Sequence, residues 1–379
     1  MLLVLISIGA TLQGLTRIST VAITPSTGAE HAVQRSPKHL TALHEYSGPL
    51  RHRCGAIART HRSDMPMTRL DWRLRLLSRI PMFNPDHTTM TAADRARARR
   101  QRPPRLLLGW PDSNVSTRYM KVPSTNGRLR MRIDEPAVPR VGLRPLVVYV
   151  HGGGWMFGDL DTPEWLTTRL ATGIGAVVVS IGYSLAPEHP FPAAVEDCWA
   201  ALEWIAEHSS TLRADTQRVA IAGDSAGGNL AAVLCITARD RGGPPICHQT
   251  LICPALDLTW SSPSIDTEAN HRIIPRQQLD AVRAAYIGAA DPTDWRISPL
   301  HADDLRGMPA AHILVAEHDT LRDDGIRYAK RLRADSVPVR LSTYIGMAHG
   351  FLGLSLTPTI RRQALADVIG ELTAAFSAR

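Results

Sequence analysis

A serine set among glycines is the first group in this sequence that could do chemistry. Ser225 lies in Gly-Asp-Ser-Ala-Gly-Gly, residues 223–228, directly after the apolar run RVAIA and directly before the helical stretch NLAAVLCITARD. A sharp strand-to-helix turn of this kind strains the backbone of the serine, and the neighbouring glycines leave room for it. Its hydroxyl then projects at a helix N-terminus, where it can attack a carbonyl carbon. The strand, turn and helix together predict that Ser225 is a nucleophile.

A glycine run could stabilise the oxyanion that such an attack creates. The segment His-Gly-Gly-Gly-Trp, residues 151–155, follows the apolar run LVVYV. Glycines let main-chain N–H groups approach a developing oxyanion closely. Neither G-x-G-x-x-G nor G-K-[ST] occurs here, so the segment does not have the pattern of a phosphate-binding loop. We expect His151 to orient the loop, with the N–H groups of Gly153, Gly154 and Ala226 as donors in a predicted oxyanion hole that comprises Gly152, Gly153, Gly154 and Ala226.

An acid and then a general base should follow the nucleophile along the chain. His349 stands just beyond the last strand-like run, on a loop bracketed by glycines, and is the candidate base. The segment HILVAEHDTLRDDG precedes it and offers several carboxylates. Asp319 begins the loop after the strand, where a side chain can reach an imidazole, so we choose it as the acid. The alternates are Glu317 and Asp323.

Strand and helix signals alternate from about residue 117 to the end, which predicts an α/β fold with a mostly parallel sheet and helices on both faces. Runs that are apolar at both odd and even positions indicate strands buried on both faces. Helical patterns also occupy 70–80 and 91–102, the second with Thr91 as N-cap, and 259–295 is predicted to be an insertion. The predicted strands are 146–150, 176–183, 218–223, 249–257, 311–317 and 339–344, with helices at 192–208 and 226–239.

The N-terminal stretch differs from the remainder of the chain. Residues 1–64 show little periodicity, and we predict a disordered or non-native extension there, followed by one domain over 65–379. The first twelve residues are apolar but too short to span a bilayer as a helix. They lack a basic leader and a clear cleavage site, which favours a cytoplasmic location over secretion.

The charge and the cysteines argue against several function classes. The net charge is +8, but residues 1–106 hold 17 basic and 6 acidic residues, so the segment with the motifs is slightly acidic. Only three of the 43 basic residues are lysines, a bias typical of a GC-rich genome rather than of a nucleic-acid interface. An arginine-rich N-terminal region is compatible with peripheral membrane contact. The five cysteines have no metal-ligand spacing, and we expect no metal, no cofactor and no nucleic-acid partner.

Four motifs in order closely resemble bacterial esterases related to hormone-sensitive lipase. They are HGGGWMFGD (151–159), YSLAPEHPFPAA (183–194), GDSAGG (223–228) and YIGMAHGF (344–351), and the resemblance covers roughly residues 70–379. It implies an α/β-hydrolase core with a helical cap from N-terminal helices and an insertion after the sixth strand, which matches 68–100 and 259–295. In the family pattern D-P-L-x-D, the acid falls on Asp319.

Two positions depart from that family pattern. Thr320 replaces the usual proline and is expected to loosen the acid's loop slightly. Ser184 replaces the usual arginine and is expected to weaken an ion pair behind the active site. Neither position belongs to the predicted triad.

The sequence therefore predicts an enzyme that hydrolyses short-to-medium acyl carboxylic esters through a Ser-His-Asp triad and an acyl-enzyme. Its expected partner is a small-molecule ester, and the protein is expected to be a monomer or a homodimer. An amidase, a carbamate hydrolase or an acyltransferase could use the same residues. A long-chain lipase and a non-catalytic receptor on this fold are further alternatives.

Overall fold

Strands form one central sheet in the part of the chain that the structure describes, residues 68–78, 90–101, 103–268 and 274–378 of a computed structural model. The strands are β1 (Val115–Ser124), β2 (Gly127–Pro136), β3 (Arg144–Val150), β4 (Val177–Gly182), β5 (Ala214–Asp224), β6 (Ile246–Ile252), β7 (Ala310–His318) and β8 (Val339–Ala348). Their order is β1-β2-β4-β3-β5-β6-β7-β8. The pairs β1–β2 and β2–β4 are antiparallel, and all the others are parallel. The predicted fold class is confirmed.

Helices cover both faces of the sheet. They are α1 (Trp72–Leu77), α2 (Ala92–Arg100), α3 (Arg105–Leu108), α4 (Glu164–Ile174), α5 (Ala193–Glu207), α6 (Ser209–Leu212), α7 (Ala226–Arg241), α8 (Ser264–Thr267), α9 (Arg276–Ile287), α10 (Arg322–Ala334) and α11 (Pro358–Ser377). Every residue of β3 is buried, and its side chains alternate between two apolar clusters. One cluster includes Val148 with α5, α7 and α10, and the other includes Val147 with α4 and α11. This two-sided burial explains why the central strands are apolar on both parities.

The strand prediction over 249–257 is wrong in its second half. β6 ends at Ile252 because the next residue, Cys253, has φ +46° and Pro254 has no N–H to donate to a neighbouring strand. The turn after Ile252 brings the chain past the nucleophile, and the N–H of Ala255 donates to the carbonyl of Ser225 at 3.3 Å.

The predicted cap segments contain helices wherever they are described. Thr91 begins α2 with a reciprocal capping box, in which its hydroxyl accepts from the Asp94 N–H at 3.2 Å and its own N–H donates to Asp94 at 3.1 Å. The insertion supplies α8 and α9. The prediction for residues 1–64 lies outside the described residues. Within the described ranges, no helix is both long and apolar enough to cross a membrane.

Candidate active site

Ser225 sits at the turn between β5 and α7, as the motif predicts. Its φ of +55° is rare for a residue with a side chain, and its N–H donates to the carbonyl of Ile252 at 2.8 Å. The glycines are a steric requirement of this turn. A Cβ at Gly227 would lie 2.1 Å from the carbonyl oxygen of Val150, and a Cβ at Gly223 would lie 2.2 Å from that of Gly227. The close packing of main chain fixes the serine in its strained conformation.

Three predicted side chains form one chain of hydrogen bonds. His349 Nε2 lies 2.9 Å from Ser225 Oγ, and His349 Nδ1 lies 2.9 Å from Asp319 Oδ2. A carboxylate can only accept, so Nδ1 carries the imidazole proton and Nε2 is free to accept from the serine hydroxyl. Asp319 is 1% exposed, and its other oxygen accepts the Leu321 N–H at 2.9 Å. The arrangement can activate Ser225 for attack.

Electrostatics favours a protonatable base at His349. Burial by itself lowers the pKa of the imidazole, but the adjacent Asp319 carboxylate, with a smaller contribution from Asp224, raises it above the ordinary value of 6.5. The net direction is upward because the imidazolium forms next to an anion with which it shares a hydrogen bond. An imidazole with this pKa can take the Ser225 proton and return it to a leaving group.

The two alternate acids have other partners. The Glu317 side chain accepts the Thr68 N–H at 2.9 Å and the Gly346 N–H at 2.7 Å, and it also accepts the Thr68 hydroxyl. It therefore joins the segment before α1 to the end of β8, which leads to His349. Asp323 accepts the Ser264 N–H at 3.0 Å and pairs with Arg322. Neither carboxylate is hydrogen-bonded to the imidazole, and of the three candidates only Asp319 is.

The two departures from the family pattern have local compensation. Ser264 of α8 donates its hydroxyl to the Thr320 carbonyl at 2.8 Å, which ties the acid's loop to the cap. Asp197, which is buried, accepts the Ser184 N–H at 2.8 Å and the Asn126 side-chain amide at 3.1 Å. Hydrogen bonds thus hold Asp197 without an ion pair from position 184.

The glycine loop after β3 lies beside the nucleophile. Asp224 Oδ1 accepts the Gly152 N–H at 3.0 Å and the Tyr149 hydroxyl at 2.7 Å, so the residue before the nucleophile anchors this loop. The Gly152 N–H is therefore already used. Within the described residues the N–H groups of Gly153 and Gly154 donate to no acceptor.

His151 orients the loop from behind. Its ring stacks on Tyr183 with centroids 4.4 Å apart, and its Nδ1 lies 2.8 Å from the Gly152 carbonyl, which requires a proton on Nδ1. Burial lowers the pKa of His151, so this imidazole is neutral. It forms no hydrogen bond with Ser225.

The cap helices pack on this loop. Tyr286 of α9 stacks on Trp155 with centroids 4.4 Å apart, and a Cβ at Gly154 would lie 2.9 Å from Val282 of the same helix. Arg99 at the end of α2 donates to the Met156 carbonyl at 2.7 Å and pairs with Glu188 at 2.7 Å. Both predicted cap segments therefore touch the segment that carries the glycine run.

A cavity of about 400 Å³ opens onto Ser225 and His349. Its wall is largely apolar and comes from segments that are distant in sequence, namely Ala98, Leu108, Phe157, Trp165, Leu166, Leu352 and Leu354. Most of these residues could not be predicted as cavity residues, since apolar side chains at helical spacing are equally typical of a core. In the described ranges, one group could hold a metal ion, and it consists of Cys253, Asp319 and His349. Because Asp319 and His349 are hydrogen-bonded to each other, an ion there would compete with the triad.

Comparisons with known proteins show which family this chain resembles. A family described as having the α/β-hydrolase fold matches residues 147–353. The chain is 41% identical over 299 residues to carboxylesterase NlhH of Mycobacterium tuberculosis, which covers 76% of this chain and 92% of that protein. It is 45% identical to esterase LipI of the same organism over 58% of this chain and 69% of that protein.

The chain belongs to the α/β-hydrolase family.

Solved structures of α/β hydrolases resemble this one over most of its length. An ester hydrolase from the metagenome of Lake Arreo superposes with a TM-score of 0.73 at 32% identity, over 82% of this chain and 100% of that chain. An esterase of Pyrobaculum calidifontis gives a TM-score of 0.65 at 38% identity, over 68% and 85% of the two chains. The resemblance to bacterial esterases related to hormone-sensitive lipase is confirmed, and so is the prediction of a hydrolytic enzyme.

Proposed function

We propose that this α/β hydrolase is a carboxylesterase that acts on short-to-medium acyl esters through Ser225, His349 and Asp319. The main support is the unbroken chain of hydrogen bonds from Asp319 through His349 to Ser225, beside a largely apolar cavity. Both hydrogen bonds are 2.9 Å long. The names of the relatives, carboxylesterase and esterase, support the same substrate class.

In the proposed mechanism, His349 Nε2 takes the Ser225 proton while Oγ bonds to the ester carbonyl carbon. The resulting oxyanion accepts from the N–H groups of Gly153, Gly154 and Ala226. Ala226 is the first residue of α7, where an N–H has no acceptor within the helix. Gly152 is left out of this donor set because its N–H is held by Asp224.

The tetrahedral species then collapses and the carbon–alkoxide bond breaks. His349 returns its proton to the leaving alcohol, and Ser225 is left acylated. Water attacks the acyl-enzyme with His349 again as base, and the carboxylic acid leaves. Asp319 holds the imidazole in the correct tautomer throughout and stabilises the imidazolium.

Two measurements test the proposal. Wild-type protein should react with a fluorophosphonate probe and hydrolyse 4-nitrophenyl butyrate, and Ser225→Ala should abolish labelling and lower kcat by roughly 10⁴- to 10⁶-fold. Retention of wild-type hydrolysis by Ser225→Ala would show that another group is the nucleophile. Across 4-nitrophenyl esters from C2 to C16 we expect an optimum near C4 to C8, and an optimum at C16 would favour a lipase.

A further inference from the structure

A buried arginine lines the same cavity as the triad. Arg361 of α11 is 3% exposed, and it borders the cavity together with Ser225 and His349. Its guanidinium donates from Nε to the Leu352 carbonyl at 2.9 Å and from Nη2 to the Leu108 carbonyl at 2.5 Å. These acceptors are main-chain oxygens. Arg361 forms no ion pair with any described residue.

No carboxylate among the described residues pairs with this cation, whose contacts are main-chain carbonyls and an aromatic ring. The guanidinium lies 3.4 Å from the ring centroid of Trp165, and a second arginine, Arg169, lies 4.8 Å from the same centroid. Burial, with Arg169 adding to it, lowers the pKa of Arg361 to about 9, so the group is charged at neutral pH. A buried charge without a counter-charge is unfavourable, and an anion that enters the cavity would remove that penalty.

One nitrogen of the guanidinium is available for such an anion. Nη1 donates no hydrogen bond to the described residues, and it is not a fully buried atom, so it keeps some exposed surface in a residue that borders the cavity. A charge-assisted bond from Nη1 to a carboxylate oxygen would be stronger than one to a neutral acceptor.

The other arginines on the cavity wall have carboxylate partners. Arg99 pairs with Glu188 at 2.7 Å, and Arg105 pairs with Glu164 at 3.1 Å. Glu164 also lies 3.4 Å from the buried Arg132. Arg361 is thus the one lining arginine, among those described, whose charge is not paired.

Apart from Glu164, the acidic side chains on the wall lie before the nucleophile and on the segment that follows the glycine loop after β3. Asp224 accepts from Tyr149 and Gly152, Asp159 accepts the Thr162 N–H at 2.7 Å, and Asp161 pairs with Arg132 at 2.8 Å. None of them is in ion-pair contact with Arg361.

We propose that Arg361 binds a free carboxylate of the substrate, so that the preferred substrates are esters that carry a second, anionic carboxylate, as hemiesters of dicarboxylic acids do. This inference rests on the proposed carboxylesterase function and narrows its substrate class. Arg361 takes no part in bond making or breaking, and it positions the end of the substrate remote from the ester.

The first test uses the wild-type protein. Values of kcat/KM are compared for mono-4-nitrophenyl adipate and its neutral amide, 4-nitrophenyl adipamate, and for 3-carboxyphenyl and 3-carbamoylphenyl hexanoate. We expect at least one anionic ester to exceed its amide by about tenfold or more. Equal or slower hydrolysis of both anionic esters, with the neutral ones cleaved, would overturn the inference. No hydrolysis of any ester, with no fluorophosphonate labelling, would overturn the carboxylesterase function itself.

The second test uses variants whose active sites are titrated with the fluorophosphonate probe. Arg361→Gln should lower the anionic-to-neutral ratio of kcat/KM by about 10- to 100-fold, mainly through KM, and Arg361→Lys should restore part of it. The matched control, Arg105→Gln, removes a paired lining arginine and should leave the ratio within about threefold. A purely structural role of Arg361 would lower both activities and leave the ratio unchanged, which would overturn the inference. Should Arg361→Gln fail to fold, the wild-type comparison and Arg361→Lys still decide.

Discussion

Asp319→Asn is the sharpest perturbation of the triad because a control with nearly the same chemistry lies two residues away. Asp319 Oδ1 accepts the Leu321 N–H at 2.9 Å, so an asparagine would keep its oxygen there and turn its amide nitrogen toward His349. The imidazole would then present Nδ1 as an acceptor and hold its proton on Nε2, facing Ser225. A base in that tautomer cannot take the serine proton.

The expected loss follows from this tautomer change. We expect kcat for 4-nitrophenyl butyrate to fall about 10⁴-fold, which corresponds to about 5.4 kcal/mol of transition-state stabilisation. Fluorophosphonate labelling should slow in parallel, since it needs the same activated serine. Urea unfolding, followed by tryptophan fluorescence, establishes that the variant is folded when its rate is measured.

Glu317→Gln is the matched control. It removes a carboxylate from the same end of β7. The remaining side-chain oxygen can still accept a hydrogen bond from Thr68 or Gly346, but the second acceptor is lost. We expect the free energy of unfolding to drop by about 1–3 kcal/mol and kcat to stay within about threefold. If Asp319→Asn kept more than a tenth of wild-type kcat, or Glu317→Gln lost as much activity, the assignment of the acid would be refuted.

Three further predictions concern the pH profile, the oxyanion loop and the packing of α7. Because the Asp319 carboxylate outweighs burial and raises the pKa of His349, kcat/KM should rise with pH, with a midpoint above 6.5. Asp319→Asn should move that midpoint to lower pH. An unchanged midpoint would show that Asp319 does not raise the pKa of His349. Gly153→Ala should lower kcat about 10²- to 10³-fold without global unfolding, because its Cβ would lie 2.2 Å from the Phe157 carbonyl oxygen at a φ of +119°. Asn229→Ala should lower the free energy of unfolding by about 3 kcal/mol in urea titrations, because two buried carbonyls each lose a 2.8 Å hydrogen bond; a change below 1 kcal/mol would show that those carbonyls find other donors.

The sequence determined the parts of the protein whose cause is local. The strained turn at Ser225 requires glycines on both sides and a strand and helix around it, and all of these are contiguous in the chain. Apolar runs on both parities determined the buried parallel sheet, and the capping box at Thr91 determined where α2 begins. The end of β6 was missed because apolar residues such as Cys253, Ala255 and Leu256 continue past Ile252, although the backbone turns at Cys253.

The sequence favoured Asp319 as the acid but left Glu317 and Asp323 as alternates, and the tertiary structure decided among the three. Glu317, Asp319 and Asp323 lie within seven positions, and spacing along the chain does not determine where each side chain points. The pairing of β7 with β8 places Glu317 beside Gly346 and leaves Asp319 facing the imidazole.

The cavity was decided in the same way. Its wall joins the end of α2, the start of α4 and the segment before α11, which meet only when helices pack on the sheet. Arg361 looks like any helical arginine in sequence, and its burial against Trp165 without a carboxylate arises from three-dimensional packing alone. Local sterics can be read from neighbouring residues, whereas the charge balance of a cavity depends on groups that the chain brings together from far apart.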